Sequence, residues 1–276
     1  MAFASAAKKI GSLQLNVNRM MFGTVFLIVT IVVLNIDYSI SNSQLKFLVI
    51  SGFVGFVIGD SFLFKSFQLI GARVGMLLMS LVPAISAILA YFFLNEVINF
   101  LDVTGILITL GGIALVILER NPDVNSKEKI SKPGIFYGFL GAVGQSAGLI
   151  FAKFAFSEGQ INGFVATFVR LASAVMIFLP LAIIFRKYKN PVKLFSGNVK
   201  ALGSTITGTI FGPFLGVTFS LISISNTKVG IASTIMATTP VIMLPLVRIF
   251  SKETISSTSI VGAVIAVAGV AILFLK

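Results

Sequence analysis

Asp60 is the residue of this sequence whose type and position point most directly to chemistry. It lies inside an apolar run at 47–70, far from either end. A charge at that depth of a bilayer costs about 2.5–3.5 kcal/mol, so it normally faces a cavity or a partner. Asp60 is therefore a candidate to bind a substrate amine or to carry a proton; the alternative is a structural acceptor or ion pair. Lys65 lies about 140° round the helix and is not expected to be that partner.

Four further polar side chains within apolar runs are candidates to line a substrate cavity. The amide of Gln145 both donates and accepts hydrogen bonds, which suits a small zwitterion, although such an amide can equally join two helices. Ser80, Thr238 and Thr239 each lie close to a proline. Their hydroxyl groups either line the cavity or bind the carbonyl groups that the prolines free.

The two prolines concerned are Pro83 and Pro240, which the sequence places in the middle of apolar helices. A proline inside a helix removes one backbone hydrogen bond and kinks the helix. Lipid tolerates this where the freed carbonyl faces protein or a wet cavity. Pro83 and Pro240 are therefore predicted kinks and candidate hinges.

Enzymatic chemistry has little support in the sequence. The chain contains no His and no Cys, which removes the commonest general base and metal ligand. The motifs GxxxxGK[ST] and HExxH do not occur, and GxSxG occurs once, at 144–148, inside an apolar run and without any His in the chain to act as its base. Nucleotide hydrolysis and the familiar membrane proteases are therefore not indicated. We assign no catalytic residue, no metal and no cofactor, and we expect the protein not to be an enzyme.

The composition indicates an integral membrane protein. Hydrophobic residues make up 57% of the 276 positions and charged residues 11%, whereas a soluble domain has about 25% charged residues. The net charge of +12 does not indicate nucleic-acid binding, because the basic residues cluster in the connections between apolar runs. Basic connections of this kind contact anionic lipid headgroups and set the topology.

The stretch 55–118 is repeated at 212–275. Nine residue types recur after a shift of 157 positions, which indicates duplication, and a repeat this long indicates two homologous halves rather than a solenoid. Paired halves with interrupted helices are typical of transporters. The recurring residues of the first copy are Gly55, Gly59, Met79, Pro83, Glu96, Gly105, Gly112, Ala114 and Leu118.

Apolar runs of about 17–25 residues match the thickness of a bilayer and predict an all-α polytopic protein with nine full spans. The first half is one helix short of the second, so Met1 to Ile10 is predicted to be the tail of a truncated tenth helix; the alternative is an amphipathic surface arm. The predicted spans are 20–36, 47–70, 74–94, 101–118, 134–156, 163–185, 201–224, 229–250 and 257–275.

The predicted organisation is a first repeat at 1–118, a polar linker at 119–132 and a second repeat at 133–276. The linker combines charged residues with Asn121 and Pro122 and has no apolar periodicity, which is typical of a solvated loop. In-frame apolar codons just upstream of Met1 would indicate a misassigned start.

Small residues predict where helices approach closely. Gly55 and Gly59 form one GxxxG pair, and Gly208, Gly212 and Gly216 form a longer stripe. In lipid, this spacing lets helix backbones come together. The pattern predicts packing and carries no information about a substrate.

The remaining charged residues near helix ends have structural interpretations. Glu96 and Glu253 end their helices, where a carboxylate is disfavoured by the helix dipole, so each is expected to cap the following helix or to pair locally. Lys153 and Arg170 flank a connection between spans and are expected to extend toward the headgroups. An anion site at Lys153 and Arg170 is the minority interpretation.

The segments IGDSFLFKSFQLIGARVGMLLMSLVPAISAILAYFFLNE (58–96) and GPFLGVTFSLISISNTKVGIASTIMATTPVIMLPLVRIFSKE (212–253) resemble the EamA-type transporters of the drug/metabolite transporter superfamily. The resemblance extends over essentially the whole chain. It implies ten helices in two inverted five-helix repeats, with a central cavity reached by alternating access. The incomplete first helix departs from that pattern.

Together these observations predict a plasma (inner) membrane transporter of a small polar metabolite. The preference for an amino-acid-like compound and for export comes from the resemblance alone, and proton or ion coupling is left open, as is the oligomeric state. One alternative is a multidrug or nucleotide-sugar carrier of the same superfamily. A phosphate-bearing substrate of such a carrier would require basic groups deep in the cavity. The other alternative is a scaffold or partner subunit that does not transport.

The distribution of basic residues predicts the membrane orientation. In a ten-helix arrangement, most of the 21 Lys and Arg residues fall on the side of the connections 1–2, 3–4, 5–6, 7–8 and 9–10. The positive-inside rule then places the C-terminus outside, whereas the resemblance implies that both termini are cytoplasmic. We favour the orientation that the charge distribution predicts. A reporter fused after Lys276 should therefore be detected outside the cytoplasm, and a cytoplasmic signal would contradict this orientation.

Overall fold

The computed structural model describes residues 10–119, 131–185, 188–238, 241–242 and 256–274. Every regular element among them is helical, so the all-α prediction is confirmed. The helices are α1 (Ser12–Val33), α2 (Asn42–Gly52), α3 (Asp60–Met79), α4 (Val82–Leu94), α5 (Phe100–Glu119), α6 (Lys132–Ser157), α7 (Gly163–Ile184), α8 (Pro191–Ser196), α9 (Val199–Thr209), α10 (Leu215–Asn226), α11 (Val229–Ala237) and α12 (Ser257–Phe274).

Six predicted spans are confirmed as helical stretches long and apolar enough to cross a membrane. The apolar helices Phe100–Val116 and Ser257–Leu273 are shorter than the two full spans predicted there. Of the predicted span 229–250, only 229–238 and 241–242 belong to the described residues, and the predicted truncated helix lies almost wholly outside them. The six are Leu13–Val33, Asn42–Gly71, Val74–Leu94, Lys132–Ser157, Gly163–Ile184 and Val199–Asn226.

The first span begins earlier than predicted, because α1 starts at Ser12 rather than at residue 20. Its first two turns contain the buried polar residues Gln14, Asn16 and Asn18. Gln14 bonds within the bundle, because its amide donates to the carbonyl oxygen of Lys189 at 2.9 Å and accepts from its backbone N–H at 2.8 Å. Nδ2 of Asn18 has no acceptor among the described residues. Polar residues that bond within the bundle can therefore lie inside a span.

The backbone conformation of Gly71 separates the span that ends there from the span that begins at Val74. Gly71 has φ 77°, in a region that glycine adopts at little steric cost. Further on, the span Val74–Leu94 is interrupted at Ser80 and Leu81, and α4 begins only at Val82. Pro83 thus lies in the first turn of α4 rather than mid-helix, where its missing N–H would have had no intrahelical partner anyway.

Two π-helical segments interrupt the spans at equivalent positions of the repeat. The first, Phe53–Gly59, joins α2 to α3, and the second, Ile210–Phe214, joins α9 to α10. Their first residues differ by the same 157 positions that relate the two copies in the sequence. The predicted packing glycines Gly55, Gly59 and Gly212 lie in these segments, so the repeated glycines coincide with a repeated local distortion of the helix.

The helices α5 and α12 pack through glycines that the sequence comparison had marked only as repeat positions. A Cβ on Gly112 would lie 2.5 Å from the carbonyl oxygen of Gly262, and one on Gly262 would lie 2.8 Å from that of Gly112. Gly105 and Gly269 approach in the same reciprocal way, at 3.0 and 2.9 Å. These four glycines therefore bring the two backbones into direct contact.

This contact has the symmetry of a two-fold axis. Gly105 faces Gly269 while Gly112 faces Gly262, so the helices are antiparallel, and each contact has a counterpart with the repeats exchanged. Thr109, at the centre, lies 3.5 Å from the carbonyl oxygen of Ala266, again 157 positions away. A two-fold axis between antiparallel spanning helices lies in the membrane plane, as in inverted-topology repeats.

The described residues form two compact units. The first unit comprises Met1–Phe64 and Ala147–Asn226, and the second comprises Lys65–Ser146 and Thr227–Lys276. The first has an apolar core that includes Met20, Leu27, Phe56, Val57, Leu171 and Ala174. The second has two clusters, one around Ile113, Val116, Val241 and Ala266 and one around Ala87, Ile106, Ile231 and Leu273.

Neighbouring glycines on α5 provide a matched test of the glycine contact. A Cβ on Gly112 would press against the backbone of Ala266, whereas one on Gly111 would meet nothing within 4 Å. We expect Gly112→Ala to lower the free energy of unfolding by about 1–3 kcal/mol through overpacking, and Gly111→Ala to leave it unchanged or slightly higher. Thermal unfolding of the purified variants in detergent measures both; equal stability of the two would contradict the observed contact.

Candidate functional site

Arg19 and Arg170 occupy the same place in two helices of equal length. α1 and α7 each contain 22 residues, and each arginine is the eighth residue of its helix. Their α-carbons therefore lie about 10 Å from the helix start at about 1.5 Å per residue. Arg19 is 9% exposed and Arg170 is 2% exposed, so two cations are buried inside the first unit.

Asp60 lies between two aromatic rings that the arginines cover. It follows directly after the first π-helical segment, and Phe56 and Phe64 are one turn before and after it. The guanidinium carbon of Arg170 is 4.7 Å from the centre of the Phe56 ring, and that of Arg19 is 5.1 Å from the centre of the Phe64 ring. Cation–π contacts of this kind are strongest where both groups are removed from water.

Asp60 forms an ion pair with Arg19. Nη2 of Arg19 donates to Oδ2 of Asp60, and Nε of the same guanidinium donates to Oδ1 of Asn16 at 2.8 Å. The ion pair that the sequence left open as an alternative is therefore present, with a partner 41 positions away. A role of Asp60 in binding substrate or protons stays a prediction.

The prediction that Arg170 extends toward the headgroups is wrong. Gly52 and Gly55 allow it to stay inside, because a Cβ on Gly52 would collide with the Arg170 carbonyl and one on Gly55 would lie 3.2 Å from Nη2. Among the described residues, Nε of Arg170 has no hydrogen-bond acceptor. Its position near the start of its span, matching that of Arg19, was the signal in the sequence that could have identified it.

The charges of this cluster do not balance. Arg19, Asp60 and Arg170 contribute two positive charges and one negative charge, and Asp60 acts electrostatically on Arg170 as well as on its direct partner. An N–H donor buried without an acceptor costs about 1–3 kcal/mol. The cluster is therefore suited to accept one additional negatively charged oxygen group.

A polar network holds the start of α1 against the segment after α7. The hydroxyl of Tyr188 donates to Oδ1 of Asn18 at 2.6 Å, and partial burial raises the pKa of this phenol above its usual value. The reciprocal hydrogen bonds of Gln14 with Lys189 extend the network. These contacts fix the part of α1 that carries Arg19.

Ser80, Gln145 and Thr238 belong to the second unit, and Asp60 belongs to the first. The hydroxyl of Ser80 donates to the carbonyl oxygen of Leu77, and that of Thr238 donates to the carbonyl oxygen of Ile235, each at 2.6 Å. Both hydroxyls therefore bind backbone carbonyls at helix ends. Gln145 is half-buried in α6, and the predicted residues Thr239 and Pro240 lie outside the described part of the chain.

The predicted packing glycines make different kinds of contact. Gly55 lies against Gly148, whose Cβ would be 2.9 Å from the α-carbon of Gly55. A Cβ on Gly216 would instead meet, at 2.7 Å, the carbonyl oxygen of Phe211 in its own helical stretch. Gly59 is buried, and Gly208 and Gly212 are half-buried.

Four charged residues outside the arginine cluster bind helix ends or form an ion pair. Lys153 does not extend to the headgroups as expected: its ammonium donates to the carbonyl oxygen of Ile224 at 2.8 Å, near the negative end of α10. Glu96 caps a helix, but one distant in sequence rather than the following one, because it accepts the N–H of Val229 at 3.0 Å. Lys228 pairs with Asp102 at 3.1 Å. Glu253 lies outside the described residues.

Metal-binding geometry is not found in the described part of the chain, where no three Asp, Glu, His or Cys side chains come together. The acidic residues named above are engaged by cations or by backbone N–H groups instead.

The chain has a clear family match and a fold match. The model of the EamA-like transporter family matches residues 1–118 and 132–275. A solved structure, described only as a crystal structure of a protein, aligns with a TM-score of 0.76 over 99% of this chain and 90% of its own, at 18% identity. At that identity, the likeness shows the fold alone. No curated protein matches this chain.

The ion pair makes a prediction about stability. Asp60→Asn removes the negative partner of Arg19 and leaves a buried charge uncompensated, which should lower the free energy of unfolding by about 3–5 kcal/mol. The double variant Arg19→Gln, Asp60→Asn removes both charges and should recover most of that loss. Thermal unfolding of the two variants in detergent tests this, and equal destabilisation would show that the pair is not coupled.

Proposed function

The chain belongs to the EamA-like transporter family, and we propose that it exports or exchanges a small, polar, amino-acid-like metabolite. In this proposal, the repeats at 1–118 and 133–276 alternate between inward-open and outward-open arrangements in the plasma membrane. The protein is thus a multi-pass membrane transporter by family, and the metabolite class, the direction and the membrane are the parts proposed.

The buried cluster of Arg19, Asp60 and Arg170 is the observation that carries this proposal. Ionisable residues within membrane spans are costly and mark substrate or ion pathways. The cluster carries both signs of charge, which complements a zwitterion with a carboxylate and an amine. A purely structural cluster would be expected to balance its charges.

The two π-helical segments lie at equivalent places in both repeats, and they are positions at which the spans can bend. Such segments arise where the helical hydrogen-bond register shifts, and they are frequent at functional sites. Phe53–Gly59 lies immediately before Asp60, and Ile210–Phe214 includes Pro213. We therefore propose these segments, rather than Pro83 alone, as the points at which the spans bend during alternating access.

One observation favours a second candidate, a carrier of phosphate-bearing compounds such as nucleotide sugars. Such substrates require basic groups deep in the protein, and Arg19 and Arg170 are buried. A carrier of lipophilic cations is less favoured, because Arg19, Asp60 and Arg170 together carry an excess positive charge. The charge of the compound that moves separates these candidates.

A counterflow experiment in proteoliposomes tests the proposal. Vesicles are loaded with a pool of the common amino acids, a pool of sugar phosphates and nucleotide sugars, or a pool of lipophilic cations. Uptake of the matching radiolabelled pool is then measured. We expect uptake above that of protein-free vesicles only for the amino-acid pool. Uptake of sugar phosphates alone would support the second candidate, and no uptake from any pool would favour a scaffold or partner subunit.

The double variant Arg19→Gln, Asp60→Asn is the control for the site. It removes both members of the ion pair, so neither of them is left without its partner, and it is expected to remain folded. Lys153→Gln is the matched control, since it removes a cation of the same unit whose ammonium binds a backbone carbonyl. We expect the double variant to lose at least about tenfold in flux, as for a loss of about 1.4 kcal/mol, and Lys153→Gln to retain it.

A further inference from the structure

We propose that Arg170 is the residue that binds the carboxylate of the transported compound. This inference rests on the transport function proposed above and assigns one chemical group of the substrate to one side chain. It follows from a difference between two arginines that the repeat would otherwise make equivalent.

Arg19 shows what a satisfied guanidinium requires at this position. Its Nε donates to Asn16 and its Nη2 donates to Asp60, so both donors along one edge of its planar group have oxygen acceptors. That edge is the one with which arginine binds a carboxylate in a two-pronged arrangement. In Arg19, residues of the protein itself fill it.

Within the described part of the chain, Nε of Arg170 lacks the corresponding acceptor. The residue equivalent to Asn16, three positions before the arginine, is Thr167, whose hydroxyl donates to the carbonyl oxygen of Gly163 at 2.8 Å. The position that corresponds to Asp60 in the second copy holds Val217, which is apolar. Nε of Arg170 consequently has no acceptor among the described residues, although the side chain is 2% exposed.

The surroundings of Arg170 leave Nε as the donor that a ligand can satisfy. The guanidinium carbon is 4.7 Å from the centre of the Phe56 ring, and an aromatic ring offers no oxygen acceptor to an N–H group. Gly55 approaches Nη2 closely, since a Cβ there would be 3.2 Å from that atom. A carboxylate oxygen near Nε would supply for Arg170 what Asn16 supplies for Arg19.

The charge of the cluster favours a carboxylate over a phosphate. With Arg19, Asp60 and Arg170 ionised, the cluster has one excess positive charge, and a carboxylate neutralises it. A phosphate group carries about −1.5 to −2 at neutral pH and would leave the buried cluster negative. A monoanionic group is therefore the better electrostatic match.

The test compares two pools that differ only in this group: the common amino acids and their α-carboxamides. Counterflow in proteoliposomes is measured for the wild-type protein, Arg170→Gln, Arg170→Lys and the control Lys153→Gln. We expect wild type and Lys153→Gln to move the acid pool and to discriminate against the amide pool at least about tenfold. Arg170→Gln should lose this discrimination, and Arg170→Lys should retain part of it, because an ammonium keeps the charge but not the fork.

The outcomes separate the inference from the function on which it rests. If wild type moves acids and amides equally well, or if Arg170→Gln still prefers acids, Arg170 does not hold the carboxylate, although the transport function stands. If the sugar-phosphate pool moves instead of the acid pool, the carboxylate assignment is wrong. If no pool moves, the proposed function itself fails and this assignment fails with it.

A second measurement does not depend on the transport activity of a variant. A ligand that binds only the folded protein raises its thermal stability, so the Tm of wild type and of Arg170→Gln in detergent is measured with each pool. We expect the acid pool to raise the Tm of wild type more than the amide pool does, and Arg170→Gln to respond equally to both pools. Equal shifts in wild type, or a preference for acids that Arg170→Gln retains, would overturn the assignment.

Discussion

The ion pair between Arg19 and Asp60 is the interaction on which the first unit depends. Neither charge would be tolerated alone inside an apolar bundle, because the cost of removing a charge from water is repaid only by a well-placed partner and further hydrogen bonds. Arg19 has both, from Asp60 and from Asn16. α1 starts early enough to include the polar turn before Arg19, which contributes Asn16 as one of these acceptors.

The same constraint explains how the two repeats differ. Duplication provides two arginines in equivalent places of α1 and α7, but only one copy retained a carboxylate, so the two halves share a frame and differ in charge. The frame itself is visible in the second unit, where Gly105 and Gly112 meet Gly269 and Gly262 across a local two-fold axis. Shared residues build close backbone contacts, and because Asp60 has no counterpart in the second copy, Arg170 leaves an unbalanced positive charge suited to a ligand.

Much of the architecture was predictable because it depends on local sequence. Length and apolarity identify spans, and so six of them were located correctly. Contacts between distant segments were not predictable: Glu96 was expected to cap the helix that follows it, yet it caps α11, 133 positions away. Pro83 was expected mid-helix, yet the helix ends just before it, since a turn at Ser80 and Leu81 depends on neighbouring helices as well as on the proline.

By itself, the sequence determined the class of protein, the duplicated halves and the need for Asp60 to have a partner, because these follow from hydrophobicity, periodicity and the cost of a charge in lipid. Only the tertiary structure decided which cation meets that need. Arg19 and Arg170 are alike in sequence context, and Arg170 was expected to reach the headgroups. Packing against Gly52, Gly55 and Phe56 keeps it inside, because the position of a long side chain is set by the room that neighbouring helices leave.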